Sequence, residues 1–106
     1  MDYYCYMLTN DKGYTYIGIT NNLENRLKCH NSGKGAKATR YCNNWWYNVV
    51  VGKFDKSKAS RFEWLWKHKK SKTKWKNTTG IDERISRMNE LLGEDEWTNI
   101  EICEFD

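Results

Sequence analysis

The 106-residue sequence has no internal repeat and no low-complexity linker, a length that serves one modest core and excludes two domains. Its apolar fraction of 39% is low for a folded chain, but aromatic residues make up 15%, six of them tryptophan, and their large buried areas exclude a disordered chain. The net charge of +4 is unevenly spread: residues 1–76 hold sixteen Lys or Arg against five acids, +11, while residues 77–106 hold two against nine, −7. The basic part faces a polyanion and the tail does not.

No apolar run approaches membrane-spanning length, and Met1-Asp2-Tyr3 has no basic region followed by an apolar one, so a soluble, unsecreted, intracellular protein is expected. Cys5, Cys29, Cys42 and Cys103 are scattered without a CxxC pair, which signals neither a zinc site nor a disulfide framework and fits a reducing compartment.

Tyr3–Thr9 and Tyr14–Thr20 both alternate like half-buried strands, and Asn10-Asp11-Lys12-Gly13 between them is turn chemistry in which Gly13 can take a positive φ. With Asp11-Lys12-Gly13 as the loop, Asn10 pairs with Tyr14, Leu8 with Tyr16 and Tyr6 with Gly18. Thr15, Ile17 and Ile19 form the expected core face; Tyr14, Tyr16 and Gly18 share the polar one. Tyr6 and Tyr16 become diagonal neighbours roughly 7–8 Å apart at the backbone. Gly18, lacking a side chain, leaves room between them.

Thr20-Asn21-Asn22 offers caps for a helix through Leu23–His30, anchored by Leu23 and Leu27. Arg26 and His30, four residues apart, share one face beside the leucines, either as a solvated basic face or as working groups. Asn31–Arg40 is basic and punctuated by Gly33 and Gly35, so its amides with Lys34, Lys37 and Arg40 suit a phosphate, though a surface loop has the same composition. Trp45–Phe54 reads as a third and central strand.

Asp55 or Ser57 then caps a helix through Lys58–His68 with the apolar stripe Ala59, Phe62, Leu65 and Trp66. Glu63 lies at the stripe's edge, where it either forms an ordinary pair with Lys67 at i+4 or holds a metal. Lys67–Lys76 holds six lysines in ten residues, with Lys67, Lys69, Lys70, Lys72 and Lys74 placed to track a phosphate backbone. Ile81, Ile85, Met88 and Leu92 mark a packing helix stopped by Gly93, and Trp97–Phe105 alternates as a closing strand.

Tyr4-Cys5-Tyr6 followed by Tyr16-Ile17-Gly18 resembles the two halves of the GIY-YIG nuclease motif. Tyr4 and Cys5 replace the glycine and isoleucine of the first half; the second half matches letter for letter. Tyr16–Asn21, Arg26-Leu27, His30-Asn31 and Arg61–His68 extend the likeness to the Slx-type branch, structure-specific DNA endonucleases, over nearly the whole chain.

The resemblance implies an α+β fold, with a small, mostly antiparallel sheet of three to four strands flanked by helices and a motif core over about residues 3–70. The 81–105 helix and strand would pack on that core. It also implies a catalytic set of Tyr6, Tyr16, Arg26, His30 and Glu63, with Glu63 holding one Mg²⁺ or Mn²⁺. The Slx branch appends a RING-type zinc module, whose cysteines are missing here, so no zinc is expected. DNA is the implied partner, beside a scaffold subunit or a second copy.

Hydrolysis of a phosphodiester needs an activated water and neutralised charge, and Tyr6 is favoured as general base if nearby cations lower its phenol pKa, with His30 relaying the proton. An inactive nucleic-acid binder of the same fold is the competing expectation.

Overall fold

The computed structural model describes residues 1–40, 42–68 and 80–104. Strands β1 (Tyr3–Thr9) and β2 (Thr15–Thr20) form the expected hairpin, with Tyr6 opposite Gly18 and Leu8 opposite Tyr16. Gly13 takes φ +78°, and the Asn10 side chain accepts bonds from the Lys12 and Tyr14 amides at 3.0 and 3.1 Å, so the turn chemistry alone fixes the register.

Helix α1 (Leu23–Asn31) follows directly, then a 3₁₀ turn at Lys37–Thr39 and strand β3 (Trp46–Phe54). Helices α2 (Lys56–His68) and α3 (Ile81–Leu92), a 3₁₀ turn at Asp95–Trp97 and strand β4 (Glu101–Cys103) complete the described residues. The sheet is antiparallel throughout, in the order β2-β1-β3-β4. It is the α+β architecture read from the sequence.

The third strand is one of two inner strands rather than the single central one, because β1 pairs on both sides. The closing strand is shorter than Trp97–Phe105. Trp97 lies in a 3₁₀ turn, where its indole inserts edge-on against Phe62 at 5.0 Å, and only Glu101–Cys103 pair with β3. A large aromatic at the start of an alternating run is better buried between helices than lined up on an edge strand.

Cys5, Met7, Ile17, Val51 and Phe54 of the sheet pack against Ala59, Phe62 and Trp66 of α2, Met88 and Leu91 of α3, and Trp97. Asp55 opens α2 by accepting the Lys58 amide at 2.8 Å. Its far end is closed by α3: Arg87, itself buried, donates Nη1 to the carbonyls of Trp66 and Lys67 at 2.9 and 3.1 Å, and the Trp66 indole donates to the Arg84 carbonyl. A cation on the last carbonyls of a helix also meets the negative end of its dipole.

The tyrosine face departs from the expected polar surface. Tyr6, Leu8, Trp45 and Val50 make a second buried layer, with Tyr4, Tyr16, Leu23, Leu27 and Tyr47 packed around it. Both faces of the inner strands are covered, because α1 lays its leucines over the side that the period-two pattern alone leaves to solvent.

Candidate active site

The Asn22 side chain caps α1 by accepting the Asn25 amide at 3.0 Å, and the Thr20 hydroxyl accepts the Asn22 amide at 3.0 Å. The helix therefore starts without slack two residues after β2. Its direction is held from the sheet side by the Tyr47 hydroxyl, which donates to the Leu23 carbonyl at 2.5 Å. On this helix, Arg26 and His30 turn toward β1 and β2 rather than toward solvent.

Tyr6 and His30 are both fully buried, and the Tyr6 oxygen lies 2.8 Å from His30 Nε2. Arg26 Nε, its other polar neighbour, is at 3.4 Å. A guanidinium only donates, so the Tyr6 oxygen accepts from Arg26, and its hydroxyl donates to Nε2 when that nitrogen carries no proton. On the far side of the ring, His30 Nδ1 lies 2.8 Å from the Thr39 hydroxyl.

The Tyr16 ring, half-buried, stands 6.4 Å from that of Tyr6 and 5.1 Å from the imidazole, centroid to centroid. Gly18 makes this approach possible, since a Cβ there would sit 2.6 Å from the Tyr6 hydroxyl and 3.0 Å from the Tyr16 ring.

Burial dominates the electrostatics. It pushes the Tyr6 phenol well above its ordinary range, and the opposing Arg26 contact is too weak to reverse the shift. This corrects the expectation of a phenol lowered by cations: one guanidinium at 3.4 Å does not offset full desolvation. Tyr16 is also raised, by burial first and then by the Glu63 charge. His30 falls to about 4, through burial first and Arg26 second, so the ring is neutral at ordinary pH.

Glu63 sits where α2 passes β2. Its carboxylate is 3.8 Å from Lys67 Nζ, with side-chain exposures of 26% and 30%, and the Lys67 ammonium lies 5.5 Å from the Tyr16 ring centroid. The i+4 pair that the spacing allows is formed. A half-exposed carboxylate beside the tyrosines also fits one hard cation that completes its shell with water and substrate oxygens. Among the described residues no three His, Cys, Asp or Glu side chains cluster as a metal site.

The structure therefore brings Tyr6, Tyr16, Arg26 and His30 into mutual contact, with Glu63 and Lys67 bordering Tyr16. Lys34, Lys37 and Arg40 are exposed on the segment after α1, while Lys69, Lys70, Lys72 and Lys74 lie outside the described residues.

Three participants were missed by sequence reasoning. Thr39 touches His30; Tyr47 packs edge-on against Tyr6 at 5.2 Å; and Gly35 lies against the imidazole so closely that a Cβ would fall 2.5 Å from Nδ1. Two glycines and a threonine in a basic loop look like surface. Nothing in their spacing shows that the loop folds back onto α1.

Residues 2–80 match the family described as the GIY-YIG catalytic domain. The chain is 42% identical over 71 residues to a structure-specific endonuclease subunit SLX1 homolog of Cryptosporidium parvum, covering 62% of this chain and 17% of that protein. It is 36% identical over 97 residues to the structure-specific endonuclease subunit slx1 of Aspergillus terreus, covering 85% of this chain and 25% of that subunit. A UPF0213 protein of Lactiplantibacillus plantarum matches at 36% over 85 residues, covering 78% of this chain and 84% of that protein. The chain thus spans a quarter or less of the two endonuclease subunits and most of the bacterial relative. With the paired tyrosines on adjacent strands, the arginine and histidine on the following helix, and the match over residues 2–80, the chain belongs to the GIY-YIG catalytic domain family.

Proposed function

We propose that the chain is a divalent-metal-dependent endonuclease that hydrolyses phosphodiester bonds in DNA, with branched or flapped repair and recombination intermediates as its substrate class. The observation that carries this reading is the buried contact of the Tyr6 hydroxyl with His30 Nε2 at 2.8 Å, with Arg26 and Tyr16 beside it.

A free phenolate at Tyr6 is out of reach, given its raised pKa, so the proton moves in a relay. As the water oxygen bonds to phosphorus, its proton passes to the Tyr6 oxygen and the Tyr6 proton passes to His30 Nε2. The bond to the leaving oxygen breaks, and that oxygen takes a proton from solvent. No phenolate accumulates. The terminal base is His30, whose low pKa reflects burial and Arg26; bound phosphate charge pulls it back up.

Arg26 turns its donors to a non-bridging phosphate oxygen, and in leaving Tyr6 it opens the hydroxyl to the attacking water. Tyr16, at the rim, orients that water from the other side. Glu63 would hold the Mg²⁺ or Mn²⁺ ion, which would supply neutralisation of charge on the phosphate and leaving oxygen. Lys34, Lys37, Arg40 and the lysines from Lys67 to Lys74 receive the DNA backbone. A scaffold subunit or a second copy is the candidate protein partner, and the site of action is intracellular.

A second reading, an inactive binder of the same fold, is favoured by one observation: Tyr6 is wholly buried in the free chain. A cleavage panel of labelled branched, flapped and linear DNA, with Mg²⁺ or with EDTA, tests the two. Metal-dependent cutting of at least one branched substrate, abolished in Tyr6→Phe, supports the nuclease; binding without cutting supports the binder.

A further inference from the structure

His30 and Asn31 are adjacent on α1, and each is tied to the segment that follows by a different bond. The Asn31 side chain holds the Trp45 backbone in both directions, accepting from its amide at 2.7 Å and donating to its carbonyl at 3.0 Å. The buried Trp45 indole donates to the Thr39 carbonyl at 3.2 Å. Thr39, fully buried, directs its hydroxyl oxygen at His30 Nδ1. The path from His30 through Asn31, Trp45 and Thr39 returns to His30. It closes a ring around a loop that its composition presents as a surface segment.

The hydroxyl of Thr39 has one proton, and a partner for it stands 2.9 Å away in the Ala36 carbonyl, which can only accept. Thr39 is therefore left as the acceptor toward His30, and Nδ1 must carry the imidazole proton. The reverse polarity is worse on both sides of the ring: the Ala36 carbonyl would keep only the Thr39 amide at 3.0 Å and lose the hydroxyl, and the Tyr6 proton would face Arg26, which accepts nothing.

We infer that Thr39 is a positioning residue: held by the Asn31–Trp45 clamp, it fixes His30 in the Nδ1–H tautomer and so keeps Nε2 free to receive the Tyr6 proton. Its bearing on the reaction rests on the nuclease reading above; the tautomer itself does not. Gly35 is part of the device, because only a residue without Cβ lets the loop close this tightly on the ring. The tether also makes the basic loop a determinant of the site, since Lys37 and Arg40 lie within two residues of Thr39.

The test reads ring nitrogens directly. In the DNA-free, metal-free chain at neutral pH, with His68→Gln removing the second histidine, long-range proton–nitrogen NMR should show Nδ1 protonated and Nε2 bare. Thr39→Ser should keep that pattern. Thr39→Val, which keeps the shape and loses the acceptor, should move the ring to the Nε2–H form or to a mixture, and Trp45→Phe should broaden the ring signals by loosening the clamp. In cleavage, Thr39→Val should lower kcat about tenfold to a hundredfold with KM little changed, below the 10²–10⁴-fold of removing an acid–base group outright, while Thr39→Ser stays near wild type. A wild-type ring already in the Nε2–H form, an unchanged tautomer in Thr39→Val, or equal kcat for Thr39→Val and wild type overturns the inference. If the wild type cuts nothing while the tautomer responds as expected, it is the nuclease reading that has failed.

Discussion

Lys67 reaches both Glu63 and Tyr16: its ammonium is 3.8 Å from the Glu63 carboxylate and 5.5 Å from the Tyr16 ring centroid. A partly exposed i+4 pair of this kind contributes only a few tenths of a kcal/mol to folding, so its importance lies in the charge it sets beside Tyr16. Glu63→Gln should melt close to wild type and bind DNA as well or better, having lost a negative charge that faces phosphate. It should nevertheless lose cleavage at ordinary Mg²⁺, matching wild type in EDTA. Lys67→Gln should lower the Mn²⁺ concentration needed for half-maximal rate, because the carboxylate no longer shares its charge. Full cutting by Glu63→Gln would dispose of the metal assignment.

The two tyrosines differ in burial and should differ as variants. Tyr6→Phe removes a buried hydroxyl bonded to His30 and Arg26 and should cost about 1 kcal/mol in urea melts, with a 10²–10⁴-fold loss of kcat. Tyr16→Phe removes a half-exposed hydroxyl, so stability should hold and the rate should fall less. The reverse ranking would move the proton transfer to Tyr16.

Gly18 tests the close approach of the rings. Gly18→Ala places a Cβ 2.6 Å from the Tyr6 hydroxyl and 2.8 Å from its ring, which the buried phenol cannot vacate. About 1–3 kcal/mol of destabilisation is expected, together with loss of cleavage. An alanine variant with wild-type melting and cutting would show that the pocket is looser than described.

His30 links stability to pH. Its folded value near 4 lies below the ordinary 6.5, so the unfolded chain binds the proton more readily between those values. The stabilisation from a neutral, buried ring is complete above about pH 6.5 and drains as pH falls toward 4, at no more than about 1.4 kcal/mol per pH unit. His30→Asn, measured against wild type by urea unfolding at pH 7 and pH 4.5, should show the smaller drop. Parallel losses would mean that the ring is not held neutral by the fold.

DNA affinity should fall with salt, with a log–log slope of about −0.9 per phosphate contacted on duplex DNA. Replacing the exposed Lys34, Lys37 and Arg40 together by glutamine should flatten that slope without altering the melting temperature. A slope unchanged by the triple variant would move the backbone contacts elsewhere on the chain.

The hairpin was readable down to its register because Asn10 and Gly13 leave one loop length that satisfies the turn, and the α1 cap was readable because Asn22 has no better use. The same local logic placed Arg26 and His30 on one helical face. What it could not supply was the partner of that face. Burial of His30 follows from Gly35, Thr39 and Trp45 folding back across α1, a contact between segments whose own patterns say only loop and strand end. The phenol shift was misjudged for the same reason: a cation in the sequence is visible, and the desolvation that outweighs it is not. Trp97 misled by alternation, since an aromatic before a strand and one inside it have the same spacing.

The second buried layer makes Tyr6, His30 and Thr39 part of the packing as well as of the proposed proton relay and its support, and this sets two pressures on the same three positions. Buried polar pairs are often replaced by apolar side chains of like volume at no loss of stability, or with a gain. A library of this chain selected for heat resistance alone should therefore drift toward leucine, phenylalanine and valine at these sites, and the survivors should be firmer and inert. One selected for cutting alone should hold all three polar and tolerate a lower melting point. For this domain, heat resistance and turnover are competing claims on a single cluster of atoms.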